Sequence, residues 1–244
     1  MNMQNLLFGV VLLAMLFAFC IAVHGHKKFP VVLKKITWYL LVELIAQAAV
    51  FGVLWYKKHN EYIIFHSSFV LETTTLLLMY REIFKKYIEE KKQYVYRKIF
   101  IVLIVLFVAF AIVNALLWQS INTYPSNIRT VLSIMIIILN VLYIYKHTIS
   151  EPVPRTGLEL TNYQASRVSL FWIITGLLLF HCFALLRYAF VNVLREELSK
   201  ESYTNILNLH TGFTILLYIF IAIGLLKAKG IIFIKNDDNK TNKG

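Results

Sequence analysis

A chain of 244 residues in which 59% are hydrophobic, with a mean hydropathy of +0.65, is too apolar for a soluble globular domain, where about 45–50% is usual. Its net charge of +12 would point to nucleic acid in a soluble protein. Here the basic residues fall in short segments between apolar runs, which argues against a nucleic-acid partner and for a lipid bilayer.

The first apolar run, 6–23, mimics a signal peptide. No basic residue precedes it, however, and the charges come after it, at Lys27, Lys28, Lys34 and Lys35. No small-x-small cleavage site stands out, and Phe19 spoils a lipoprotein-type site at Cys20, so the run reads as a retained transmembrane helix. Six further runs follow, at 36–56, 61–80, 98–118, 125–145, 168–190 and 203–226. Each is close to or beyond the roughly 20 residues that cross a bilayer as a helix. Barrel strands would alternate apolar and polar residues, and these runs are apolar on nearly all sides. The expected fold is all-α: a polytopic integral membrane bundle of seven transmembrane helices over 1–230, with a disordered tail at 231–244 too short for an output domain. Cys20 and Cys182 lie within apolar runs and read as small buried hydrophobes, with no disulfide framework.

Of the 25 Lys and Arg residues, nineteen fall in the segments after the first, third and fifth runs and in the tail. Six fall on the other side, at Lys57, Lys58, Arg129, Arg187, Arg195 and Lys200. That asymmetry places the N-terminus outside and the C-terminus in the cytoplasm. The segment 81–97 lacks Gly and Pro and repeats apolar residues at helical spacing through Tyr80, Ile83, Phe84, Tyr87 and Ile88. It is expected to carry the third helix on into the cytoplasm and to meet anionic lipid or a protein partner. The segment 146–167 holds Pro152, Pro154 and Gly157 and reads as a loop. There is no internal repeat, mid-helix proline or GxxxG pair, which weighs against a secondary transporter.

Polar residues recur at helical spacing on several runs: Tyr39, Glu43 and Gln47; Ser68, Glu72 and Thr75; Asn114 and Trp118; Arg129, Ser133 and Asn140; His210, Thr214 and Tyr218. Such stripes are costly against lipid and should face the bundle interior. With the topology above, His66, Asn114, Arg129, His181, Arg187 and His210 fall in the outer half. Glu72 falls near the middle, and Glu43 and Asn140 toward the cytoplasm. The expected ligand-binding set is therefore Glu72, Arg129, His181, Arg187, His210, Asn114 and His66, around an outward polar cavity floored by Glu72. Two arginines above histidines would attract an anionic or carbonyl-bearing ligand. The plainer alternative is interhelical hydrogen bonding, with both arginines snorkelling to headgroups. Zinc held by His66, Glu72, His181 and His210 is a weaker alternative, because the chain has no HxxxH or HExxH. No cofactor is expected.

The stretches TYPSNIRTVLSIMIIILNVLYIY (123–145), SLFWIITGLLLFHCFAL (169–185) and ILNLHTGFTILLYIFIAIGLLKAK (206–229), with Glu43, carry a resemblance. They resemble the seven-helix membrane region found ahead of the kinase in certain bacterial sensor histidine kinases. They resemble still more its short stand-alone relatives, which have no assigned activity. The resemblance implies a multi-pass protein of the bacterial cytoplasmic (inner) membrane and supplies no catalytic residues. The leading functional expectation is a receptor-like protein whose outward cavity signals through 81–97 to a partner. Behind it stand an intramembrane metal-dependent hydrolase and a pore-forming or defence-type membrane effector.

Overall fold

The computed structural model describes residues 3–55, 61–85, 88, 92–120, 123–150, 157–190 and 197–241. Among these there is no strand. The helices are α1 (Met3–Gly25), α2 (Val31–Trp55), α3 (Glu61–Lys85), α4 (Gln93–Val113), α5 (Ser126–Ser150), α6 (Gly157–Ala189) and α7 (Lys200–Thr241). A single π-helical turn, Asn114–Trp118, follows α4. Two helix starts are set by proline, whose fixed φ suits the first turn and whose missing N–H has no partner to lose there. Leu33 and Lys34 donate to the Pro30 carbonyl at 3.0 and 3.1 Å, and Arg129 donates to that of Pro125 at 3.1 Å.

Among the described residues, six helices are long and apolar enough to cross a membrane: α1, α3, α4, α5, α6 and α7. The seventh helix, α2, carries Lys34, Lys35 and Glu43 and is not among the six. Several boundaries move outward from the apolar runs. Backbone hydrogen bonding continues through a helix after its apolar stretch ends, so hydropathy marks the buried length and not the helix. Thus α2 begins at Val31, five residues before its run, and α4 begins at Gln93. The loop expected at 146–167 is taken largely into helix, since α5 runs to Ser150 and α6 starts at Gly157. Helix α7 continues to Thr241, into the stretch expected as a disordered tail. The expected extension of α3 is present to Lys85, and most of 86–91 lies outside the described residues.

The helices form a closed ring in the order α1, α2, α3, α5, α6, α7, with α7 packing back on α1. Helix α4 stands outside this ring, with α3 as its main neighbour. Its outer face, including Ile101, Val105, Leu106 and Ile112, is exposed and apolar, as a lipid-facing surface is. The most extensive helix pair is α6 with α7. A Cβ at Gly224 would lie 2.7 Å from the Ser169 carbonyl oxygen, and one at Gly176 would lie 2.7 Å from the Phe220 Cβ. One glycine on each helix therefore permits the close approach that GxxxG motifs provide elsewhere. Inside the ring, Tyr39, Leu76, Leu77, Ile128, Leu132, Ile173 and Ile221 belong to one buried apolar cluster. Cys20 and Cys182, expected to be buried, are exposed on the helix surface. A thiol is apolar enough for that position in a helix that faces lipid.

Candidate functional site

Helices α3 and α5 run parallel, and one contact fixes their register. The His66 ring lies 3.2 Å, through Nε2, from the carbonyl oxygen of Thr123, just before α5. Glu72 and Arg129 each lie six residues further along, so the two reach the same depth. There the Arg129 guanidinium donates to Glu72 Oε2 in an ion pair whose side chains are 7% and 2% exposed. The guanidinium faces two rings, with its carbon 4.8 Å from the Phe69 centroid and 5.1 Å from that of Phe180. Cation–π attraction of this sort offsets part of the desolvation of a buried arginine. Arg129 thus points into the bundle and does not snorkel. Its charge is matched by Glu72, so it does not stand free for an anion.

The pair borders a cavity of about 130 Å³ inside the ring. Helix α2 contributes Tyr39, Glu43 and Gln47, and α7 contributes His210, Thr214 and Tyr218. These are two of the polar stripes seen in the sequence, brought face to face. Glu43 was expected toward the cytoplasmic side. With α2 starting at Val31, however, it is the thirteenth of 25 residues, just as Glu72 is the twelfth of 25 in α3. The two acids are therefore level at mid-helix. Glu43 is within electrostatic reach of Glu72 and Arg129, and Tyr218 lies with it on the cavity wall. Two buried polar atoms of the ion pair, Glu72 Oε1 and Arg129 Nε, have no hydrogen-bond partner among the described residues.

Toward the N-terminal ends of α3 and α5, the cavity meets aromatic rings. Tyr124 stacks on Tyr188 at 5.4 Å between centroids, and Phe65 lies 5.4 Å from Tyr124. The Tyr188 hydroxyl is a hub. Tyr124 donates to it at 2.9 Å and Arg187 at 3.2 Å, and His210 Nε2 lies 3.2 Å away. Two donors fill the oxygen's lone pairs, so its own proton is left for His210 Nε2.

The seven expected ligand residues therefore separate. Glu72, Arg129 and His210 line the cavity. Arg187 reaches its edge through Tyr188, with its guanidinium carbon 4.7 Å from that ring's centroid. His181 is fully buried and held by Ser133 Oγ at 3.3 Å, without lining the cavity. His66 lies at the α3–Thr123 contact and opens instead onto an apolar groove with Val108 and Ile112. Asn114 belongs to the π-helical turn after peripheral α4. It bonds Gln119 at 3.3 Å and Asn127 at 3.0 Å, bracing the connection into α5. Among the described residues no three His, Cys, Asp or Glu side chains gather as a metal-binding group, so the set considered for zinc does not converge. The polar cavity residues absent from the expected set are Tyr39, Glu43, Gln47, Tyr124, Tyr188, Thr214 and Tyr218. For α2 and α7 the signal was present as the stripes themselves. For Tyr124 and Tyr188 there was none, because tyrosines near helix ends are ordinary interfacial residues.

No family model matches the chain, and neither a curated protein nor a solved structure matches it.

Proposed function

We propose that the chain is a receptor-like membrane protein of seven transmembrane helices, N-terminus outside and C-terminus cytoplasmic, in a bacterial cytoplasmic membrane. Its central cavity would take a small polar ligand and bias the packing of the ring. The hairpin between α3 and α4 would pass that bias to a partner on the cytoplasmic side. The observation that carries this is the buried Glu72–Arg129 ion pair, which borders open space inside a closed helical ring. Ionisable groups at membrane depth are rare and cluster where ligands or ions are handled. For the seventh span, α2 has 25 residues, about 37 Å at 1.5 Å per residue, against a hydrocarbon core of about 30 Å. Its place in the ring between α1 and α3 supports the same assignment. The route to the hairpin is continuous, since Glu72 and Arg81–Lys85 share one helix and the Tyr96 hydroxyl of α4 donates to the Arg81 carbonyl at 3.2 Å.

Hydrogen exchange in lipid nanodiscs tests the coupling. Filling the cavity with Thr214→Phe should change amide protection at 81–85 and 93–97. An unchanged pattern at both ends of the hairpin would remove the receptor assignment. Topology has its own test: a tag on Gly244 should survive protease digestion of intact spheroplasts, and its loss would reverse the orientation.

A further inference from the structure

We infer that the α2–α7 side of the central cavity is a binding site for one small monovalent cation, of the alkali-metal class, between the carboxylates of Glu43 and Glu72. This rests on the cavity being a ligand site, as proposed above, and names the ligand's chemistry.

The first step is charge. Arg129 is matched by Glu72 through their direct ion pair. Glu43 is then a second carboxylate, with Glu72 and Arg129 as its charged neighbours among the described residues. The Arg187 charge sits at the aromatic end, against the Tyr188 ring, and does not line the cavity. When both carboxylates are ionised, two against one guanidinium leave one unmatched negative charge in a region with little water. An uncompensated buried charge is expensive, so one added positive charge is what the site lacks. An anion would deepen the imbalance, and a divalent cation would overshoot it.

The second step is the donor set. A hard monovalent cation takes oxygen ligands. The wall offers carboxylate oxygens from Glu43 and Glu72, phenolic oxygens from Tyr39 and Tyr218, the Gln47 amide oxygen and the Thr214 hydroxyl oxygen. Thr214 donates its proton to the His210 carbonyl at 3.0 Å, which leaves its lone pairs free to face a cation. Glu72 Oε1, on a residue 2% exposed, has no hydrogen-bond partner among the described residues. An unpartnered carboxylate oxygen on a residue that lines the cavity is an acceptor awaiting a donor or a cation. The cavity, about 130 Å³, suits a small ion with a partial water shell and excludes a large organic cation.

The test uses the full chain in detergent at fixed pH and constant ionic strength, with sodium chloride exchanged stepwise for N-methyl-D-glucamine chloride. Tm is followed by tryptophan fluorescence. Sodium should raise Tm saturably, as a ligand that binds only the folded state does. Glu43→Gln should abolish the rise. Tyr218→Phe, which removes one oxygen and no charge, should weaken apparent sodium affinity about tenfold, or ~1.4 kcal/mol. A Tm indifferent to sodium overturns the inference, and this is the outcome if a proton alone fills the site. An equal rise in Glu43→Gln overturns it too. Should Glu43→Gln not fold, Tyr218→Phe and Gln47→Leu decide, and unchanged sodium affinity in both is a refutation. A sodium effect without any cavity-to-hairpin coupling in the exchange experiment would remove the receptor assignment and leave the cation site. Coupling without a sodium effect would do the reverse.

Discussion

Two polar cross-links join α3 to α5, and they differ in kind. Near mid-helix, Glu72 pairs with Arg129. Two turns further along α3, the Tyr80 hydroxyl donates to Asn140 Oδ1. All four residues are buried. The neutral link is closed in, with Tyr80 stacked on Phe84 at 6.3 Å, and neither partner borders the central cavity. The charged link lies on the cavity wall, where Glu72 Oε1 and Arg129 Nε remain without partners. Burial and polarity alone therefore do not separate a strut from a site. Unused hydrogen-bonding capacity alone does not either, since Asn140 Nδ2 also lacks a partner among the described residues; what marks the charged link is that its residues line the cavity.

The largest effect that tests this contrast is at Glu72. Glu72→Ala leaves the Arg129 guanidinium buried without its counter-charge, which should cost about 3–5 kcal/mol in reversible unfolding from detergent. Glu72→Gln keeps a hydrogen-bond acceptor and should lose less. Replacing both partners by methionine should recover much of the loss, since paired apolar residues of similar volume replace a buried ion pair well. A Glu72→Ala protein as stable as wild type would mean that the pair does not form in the folded chain.

The neutral link should be worth less. Tyr80→Phe removes one interhelical hydrogen bond and should cost roughly 0.6–1.7 kcal/mol, the range such bonds show within membranes. It should also leave the sodium dependence of Tm untouched, because Tyr80 is not on the cavity wall. If Tyr80→Phe abolished that dependence, the separation of strut from site along α3 would be lost.

The helical, membrane-type character of the chain was readable from composition and run length, since lipid leaves helices as the only option for such segments. Each of the seven runs falls on a helix to within a residue or so of its ends, and among the described residues six of these helices meet the demands of a membrane span by length and composition. Helix ends were less readable. Hydropathy reports burial in lipid, and α2, α4, α6 and α7 continue through polar residues at their ends. That error mattered for the site, because starting α2 at residue 36 displaced Glu43 from the depth it shares with Glu72. The stripes on α2, α3, α5 and α7 were legible as faces. Which faces meet depends on the order of helices around the ring, and nothing local in a sequence encodes that order. Asn114 shows the limit well: its stripe is real, but α4 stands outside the ring, so the side chain braces a loop and does not reach the cavity.

The smallest expected effect concerns Tyr188, and it tests whether the aromatic end of the cavity behaves as strut or site. Its hydroxyl meets Tyr124, Arg187 and His210, three partners where Tyr80 has one side-chain partner. A count of bonds would therefore predict a larger loss for Tyr188→Phe than for Tyr80→Phe. Position argues the opposite. Tyr124 and Arg187 are only part-buried, close to helix ends, so each can turn to water or headgroups once the hydroxyl is gone. Only His210 would lose a partner at depth, and the exchange of one neutral bond is worth about 0.6 kcal/mol on average. Asn140, fully buried beside Tyr80, has no such escape. Tyr188→Phe should thus unfold at nearly the wild-type detergent concentration and lose less than Tyr80→Phe. Arg187, released from the hub, should become the more reactive toward a water-soluble arginine reagent. A loss exceeding that of Tyr80→Phe, with Arg187 still protected, would make the Tyr124–Tyr188 layer a structural lock on the ring instead of the yielding end of a binding cavity.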